Sequence, residues 1–108
     1  MSQSTVANRY AQAIFELAAK QNLLAEVGAD LKEIKKVLAT NDEFMSLLTA
    51  PKIGSSKKKE LIAQIFAGAQ PIVINALQFL VDKKRLNELS AVATQFQALA
   101  AAAQGAAD

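Results

Sequence analysis

The sequence predicts an all-α fold, a compact six-helix bundle with short loops. Three observations predict it. Alanine, the best helix former, supplies 22 of the 108 residues. Large apolar side chains recur at intervals of three and four residues along most of the chain, the spacing that lines one face of a helix. No stretch alternates apolar with polar residues, and no Asn-Gly or Asp-Gly pair marks a hairpin turn. The length is that of one domain, able to bury a modest core without disulfides or metals.

Each helix has its own justification. Ser4 or Thr5 caps a first helix running to about Gln21, with Val6, Ala7, Tyr10, Ala11, Ala13, Ile14, Phe15, Leu17 and Ala18 as its apolar residues. A second, from about Leu24 to Ala39, carries the narrow stripe Leu24, Val27, Leu31, Ile34 and Leu38. Asn41 or Asp42 caps a short third helix holding Phe44, Met45, Leu47 and Leu48, and Pro51 and Gly54 break the chain after it. Ser55 or Ser56 starts a fourth, with Leu61, Ile62, Ile65 and Phe66 inward and Gly68 near its end. Pro71 suits the first turn of a fifth, which runs to about Lys83. The sixth spans about Asn87 to Ala100, with Leu89, Val92, Ala93, Phe96, Leu99 and Ala100 on one face. Residues 1–100 form the bundle, whereas the Ala-rich residues 101–108 lack a large apolar anchor and are expected to fray or begin a linker.

Composition excludes much chemistry. The chain has no His and no Cys, so it offers no imidazole base, no thiolate nucleophile and no zinc site of the usual kind. The acidic residues form no tight cluster for paired-carboxylate catalysis, and the four glycines are isolated and build no phosphate-cradling loop. No enzyme activity, cofactor or metal is expected. The longest apolar run, from Pro71 to Val81, is too short to span a bilayer, and no secretory signal is expected at the N-terminus. A net charge of +2 is too small to imply a polyanionic partner.

The informative anomaly lies in the first and fifth helices. At about 100° per residue, the apolar positions of the first span roughly 200°, and those of the fifth roughly 220°. One edge of the first arc is Val6, Tyr10, Ala13 and Leu17; one edge of the fifth is Ile72, Ala76 and Phe79, with Asn75, Gln78 and Asp82 as a polar ridge. A helix with a single buried face needs little more than 100°. Two arrangements satisfy such arcs. Either both helices are central and enclosed by the other four, or they lie side by side and leave an apolar groove for an amphipathic helix from another protein. In the second arrangement Ala13 and Ala76 permit close approach, while Tyr10 and Phe79 form large rims. Periodicity alone does not choose.

The charged clusters read as surface. Lys57-Lys58-Lys59 opens the fourth helix but is followed at once by Glu60, with no Arg or aromatic residue interleaved. Lys83-Lys84-Arg85 ends the fifth helix, where the dipole favours cations. Asp30 and Glu33 are spaced to pair with lysines such as Lys36. The alternative function these clusters allow is a small helical nucleic-acid-binding domain, against which stand only two Arg and scattered glutamines.

Three stretches together resemble a known family. Arg9-Tyr10-Ala11-Gln12-Ala13-Ile14-Phe15-Glu16-Leu17-Ala18 is similar to the opening of the delta subunit family of F-type ATP synthase, whose mitochondrial counterpart is the oligomycin-sensitivity-conferring protein. Leu47 to Ile53, followed by the lysines before Leu61, resembles that family's middle segment. Asn75 to Leu89 resembles its later segment, except that Lys84 stands where many members have Gly, which leaves the loop shape there open. The resemblance covers residues 6 to about 99 and looks like the family's N-terminal domain.

It implies a non-catalytic stator component whose first and fifth helices bind the N-terminal helix of an alpha subunit, linking the catalytic head to the peripheral stalk. A C-terminal region, absent from this sequence, would contact the stalk b subunits. It implies a peripheral location on the cytoplasmic face of a bacterial membrane, or the inner face of an organelle. Tyr10, Ala13 and Phe79 match the family's contact positions, and helical-wheel geometry adds Val6, Leu17, Ile72 and Ala76. No nucleic acid and no membrane insertion are implied.

Overall fold

The computed structural model of the protein describes residues 5–105. Six α-helices follow in order: α1 (Thr5–Lys20), α2 (Leu24–Ala39), α3 (Asp42–Thr49), α4 (Ser55–Ile65), α5 (Pro71–Asp82) and α6 (Leu89–Gly105). A single 3₁₀ turn, Leu86–Glu88, leads into α6. Ser4, one of the two residues expected to cap α1, lies outside the described residues.

The centre of the molecule is α6. Its Val92, Ala93 and Phe96 are buried, and it packs against both α1 and α2. The face that α1 turns to the core is Ala7, Ala11, Ile14 and Ala18. Three alanines at this spacing leave room for the neighbouring helix to approach closely, which the larger aromatic residues of α1 would prevent. The narrow stripe of α2 is buried as Val27, Leu31, Ile34 and Leu38. Phe15 meets Phe96 edge to face, ring centres 5.9 Å apart, so α1 and α6 share an aromatic contact at the middle of the core. Burial is uneven elsewhere: α3 contributes only Leu48 to the fully buried set and α4 only Ile62, whereas α5 contributes Val73, Leu77, Leu80 and Val81.

The helix ends show why the boundaries fall where they do. Asn41 caps α3 by accepting a hydrogen bond from Phe44 N at 3.3 Å. Both α1 and α5 end with a residue in the left-handed region, Asn22 at φ 61° and Lys84 at φ 57°. After α1, Leu23 N donates to Ala18 O and Asn22 N to Ala19 O; after α5, Arg85 N donates to Leu80 O and Lys84 N to Val81 O. Each pair satisfies carbonyls that a helix end leaves free. At the other extreme α6 continues past Ala100, where the sequence reading ended it, to Gly105. The high helix propensity of an alanine run sustains the helix there, with Ala101, Ala102 and Ala103 exposed. Residues 106–108 of the expected tail lie outside the described ones.

Candidate functional site

Helices α1 and α5 lie against one another, and neither is enclosed by the rest of the bundle. Between them runs an open groove of about 470 Å³, lined by Tyr10, Ala13, Ile14, Leu17, Gln21, Ile72, Asn75, Ala76, Phe79 and Leu80. Its floor is sealed by the core residues Ile14 and Leu80, 6% and 1% exposed. Its lips are Leu17 and Phe79, which leave 49% and 46% of their surfaces to water. Half-exposed Leu and Phe on adjacent helices form the outward edges of the two wide apolar arcs; on α1 the inner edge packs against α6.

Six of the seven residues singled out in the sequence line this groove; Val6 is half-buried on α1 and does not line it. Tyr10 and Phe79, the large rims of the expected groove, meet edge to face with ring centres 5.6 Å apart, so α1 and α5 are joined by an aromatic contact. Lys83 Nζ lies 5.4 Å from the centre of the Phe79 ring, adding a cation to the groove's aromatic end. Sequence reasoning did not include Ile14 and Leu80, because buried residues give no signal of lining a site, nor the polar Gln21 and Asn75 among the lining residues.

The polar ridge of α5 has a different use from solvation. Gln78 Nε2 donates to Lys59 O at 3.1 Å, and Asp82 Oδ2 accepts from Lys59 Nζ at 3.0 Å. Two of the three ridge residues therefore hold α4 against α5, while the third, Asn75, lines the groove. This also changes the reading of Lys57-Lys58-Lys59. Lys59 is half-buried against Asp82, and Lys57 lies 3.8 Å from Glu60. Asp30 departs from expectation too: its Oδ2 accepts from the backbone N of Gln70 at 2.8 Å, and the described ion pairs do not include it.

A roomier hollow, about 620 Å³, lies at another corner, lined by Met45, Leu48, Ile53, Lys58, Val81 and Leu86 among others. It is assembled from several elements and two loops, so no periodicity in the sequence announces it. With Lys58, Lys84, Asn87 and two hydroxyl side chains at its walls it is more polar than the α1/α5 groove. The groove is the smaller cavity, yet its only polar side chains besides the Tyr10 hydroxyl are Gln21 and Asn75.

The model of the ATP synthase delta (OSCP) subunit family matches residues 6–108. The chain belongs to that family. The delta subunit of ATP synthase from Lysinibacillus sphaericus is 54% identical over 108 residues, covering 100% of this chain and 61% of the relative. That of Oceanobacillus iheyensis is 38% identical over the same length, covering 100% of this chain and 60% of the relative. The chain thus spans about 61% of the length of the first of these delta subunits. A chain in a cryo-EM structure of the Polytomella F-ATP synthase, from a refinement focussed on the F1 head and rotor, has the same fold: TM-score 0.82 at 23% identity, covering 96% of this chain and 93% of that one. Among the described residues, no helix of this delta-family chain is long and apolar enough to cross a membrane.

Proposed function

We propose that the protein is a non-catalytic stator component of F-type ATP synthase, and that the groove between α1 and α5 receives the N-terminal helix of an alpha subunit. The observation that carries this reading is the open apolar groove, floored by core residues and lipped by half-exposed Leu17 and Phe79. An amphipathic helix presenting apolar anchors at i, i+3/i+4 and i+7 fits such a surface. Ala13 and Ala76 keep the groove low, and Tyr10, Leu17, Ile72 and Phe79 supply the walls. Val6, on the same helix but outside the groove, extends this surface at the start of α1.

In this role the domain couples the catalytic head to the peripheral stalk. Torque from the rotor tends to turn the head; a clamp on one alpha helix, continued through a C-terminal region to the b subunits, resists it, so rotation drives ATP synthesis. As part of the synthase, the protein would sit peripherally at the cytoplasmic face of a bacterial membrane, or the inner face of an organelle. Neither nucleic acid nor membrane insertion enters the proposal.

Peptide titration tests it. A peptide from the alpha N-terminus is expected to bind the folded protein with little dependence on salt, because the lining residues are uncharged and Lys83 stands beside the groove's aromatic end without lining it. Tyr10→Ala and Phe79→Ala are each expected to lose about 2 kcal/mol of binding, the scale of a buried aromatic anchor. Parent-like affinity in both folded variants would remove the groove from the interface. A nucleic-acid-binding domain would instead bind oligonucleotides with an affinity that falls steeply as salt rises.

A further inference from the structure

Helix α5 is held from outside the groove and not across it. Among the described residues, no side-chain hydrogen bond or ion pair runs from α1 to α5; the seam between them is apolar. The polar ties on α5 come from elsewhere. Toward its C-terminal half, Gln78 and Asp82 bind Lys59 of α4. At its N-terminus the tie is Asp30 of α2, whose carboxylate accepts from Gln70 N at 2.8 Å across 40 residues of sequence, in a partly buried setting. Gln70 has no side-chain cap of its own to offer, and Pro71 follows it at the first helical position. A carboxylate placed there fills the cap from a different helix, and its charge favours the positive end of the helix dipole.

We propose that Asp30 is a positioning residue for the groove: by holding the start of α5 from behind, it sets where Ile72 stands relative to α1. Apolar contacts along the seam are non-directional and tolerate sliding. A short charge-assisted hydrogen bond fixes a distance and an angle. Ile72 is the second residue of α5, two positions after Gln70, so the bond acts on the groove wall through two peptide units. The effect on partner affinity rests on the docking reading above; the effect on groove geometry does not.

The test uses the full chain with three substitutions. Asp30→Ala removes the acceptor, Asp30→Asn keeps one acceptor oxygen, and Gln97→Ala is a control. Gln97 Nε2 donates to Gly28 O at 2.9 Å, a bond between α6 and α2 away from the groove. Under conditions where each variant is folded, Asp30→Ala is expected to weaken binding of the alpha N-terminal peptide about ten-fold. Asp30→Asn is expected to recover most of that loss and Gln97→Ala to bind like the parent, although it too loses stability. Equal affinity for Asp30→Ala and the parent, or an equal loss in Gln97→Ala, overturns the inference. If Asp30→Ala does not fold, Gln70→Pro deletes the donor instead, at a φ of −63° that proline adopts, and the same ten-fold loss is expected.

If the parent itself fails to bind the peptide, the docking reading falls and the role of Asp30 is decided by nuclear magnetic resonance. Changed Ile72 methyl shifts and a changed Tyr10–Phe79 ring contact in Asp30→Ala, restored in Asp30→Asn, support positioning. Unchanged signals at both places overturn it.

Discussion

Lys84 occupies a backbone conformation that suits glycine. Its φ of 57° places it in the left-handed region, where a Cβ crowds the following carbonyl. The position is required because Lys84 N and Arg85 N turn back to close the end of α5. Replacing Lys84 with Gly relieves a strain of about 1–2 kcal/mol and gives back part of it as extra freedom of the unfolded chain. A net gain of about 0.5–1 kcal/mol is expected in urea unfolding of Lys84→Gly, whereas Lys83→Gly, at a negative φ of −88° open to any residue, is expected to lose stability. The family resemblance marked Lys84 as a glycine position but left the loop shape open; the dihedral supplies it. Asp30 shows the opposite case. No lysine stands three or four positions from it to pair along α2, and only the fold reveals that the carboxylate accepts from a backbone amide at the start of another helix.

Among the elements, α3 and α4 are the least committed to the core. Each buries one residue fully, Leu48 and Ile62, whereas α5 buries four. Besides Ile62, α4 is kept in place by half-buried Leu61 packed on the core and by the ties from Lys59 to Gln78 and Asp82, of which the ion pair is about two-fifths exposed and contributes little. Segments with few buried contacts open at lower free energy than the core. Native-state amide exchange is therefore expected to be faster in α4 than in the buried turns of α5 and α6. Equal protection across all three would refute this ordering. The existence and type of all six helices were legible, since apolar spacing and capping residues are local signals. The end of α6 was not, because an alanine run carries propensity without periodicity.

For the molecule as a whole, stability converges on α6. Phe96 is fully buried, touches Phe15 of α1, and its ring edge lies 3.4 Å from where a Cβ on Gly28 of α2 would stand. Three helices thus meet around one side chain. Phe96→Ala is expected to cost about 3–5 kcal/mol, a large share of the roughly 5–15 kcal/mol available to a domain of this size. A calorimetric melting temperature close to that of the parent would contradict it. The groove at this scale was half legible. Arc widths identified which two helices carry spare apolar surface, but burial pattern and aromatic pairing, such as Tyr10 against Phe79, depend on how the helices are set side by side.

That pairing has a practical consequence. The chain contains one tyrosine and no tryptophan, so its intrinsic ultraviolet emission comes from the ring that leans on Phe79. The molecule carries its own optical probe, already at the place in question. A guest free of tyrosine and tryptophan that covers this ring should alter the emission on mixing, while a small molecule lodged in the lysine-lined hollow, whose walls include neither ring, should leave it unchanged.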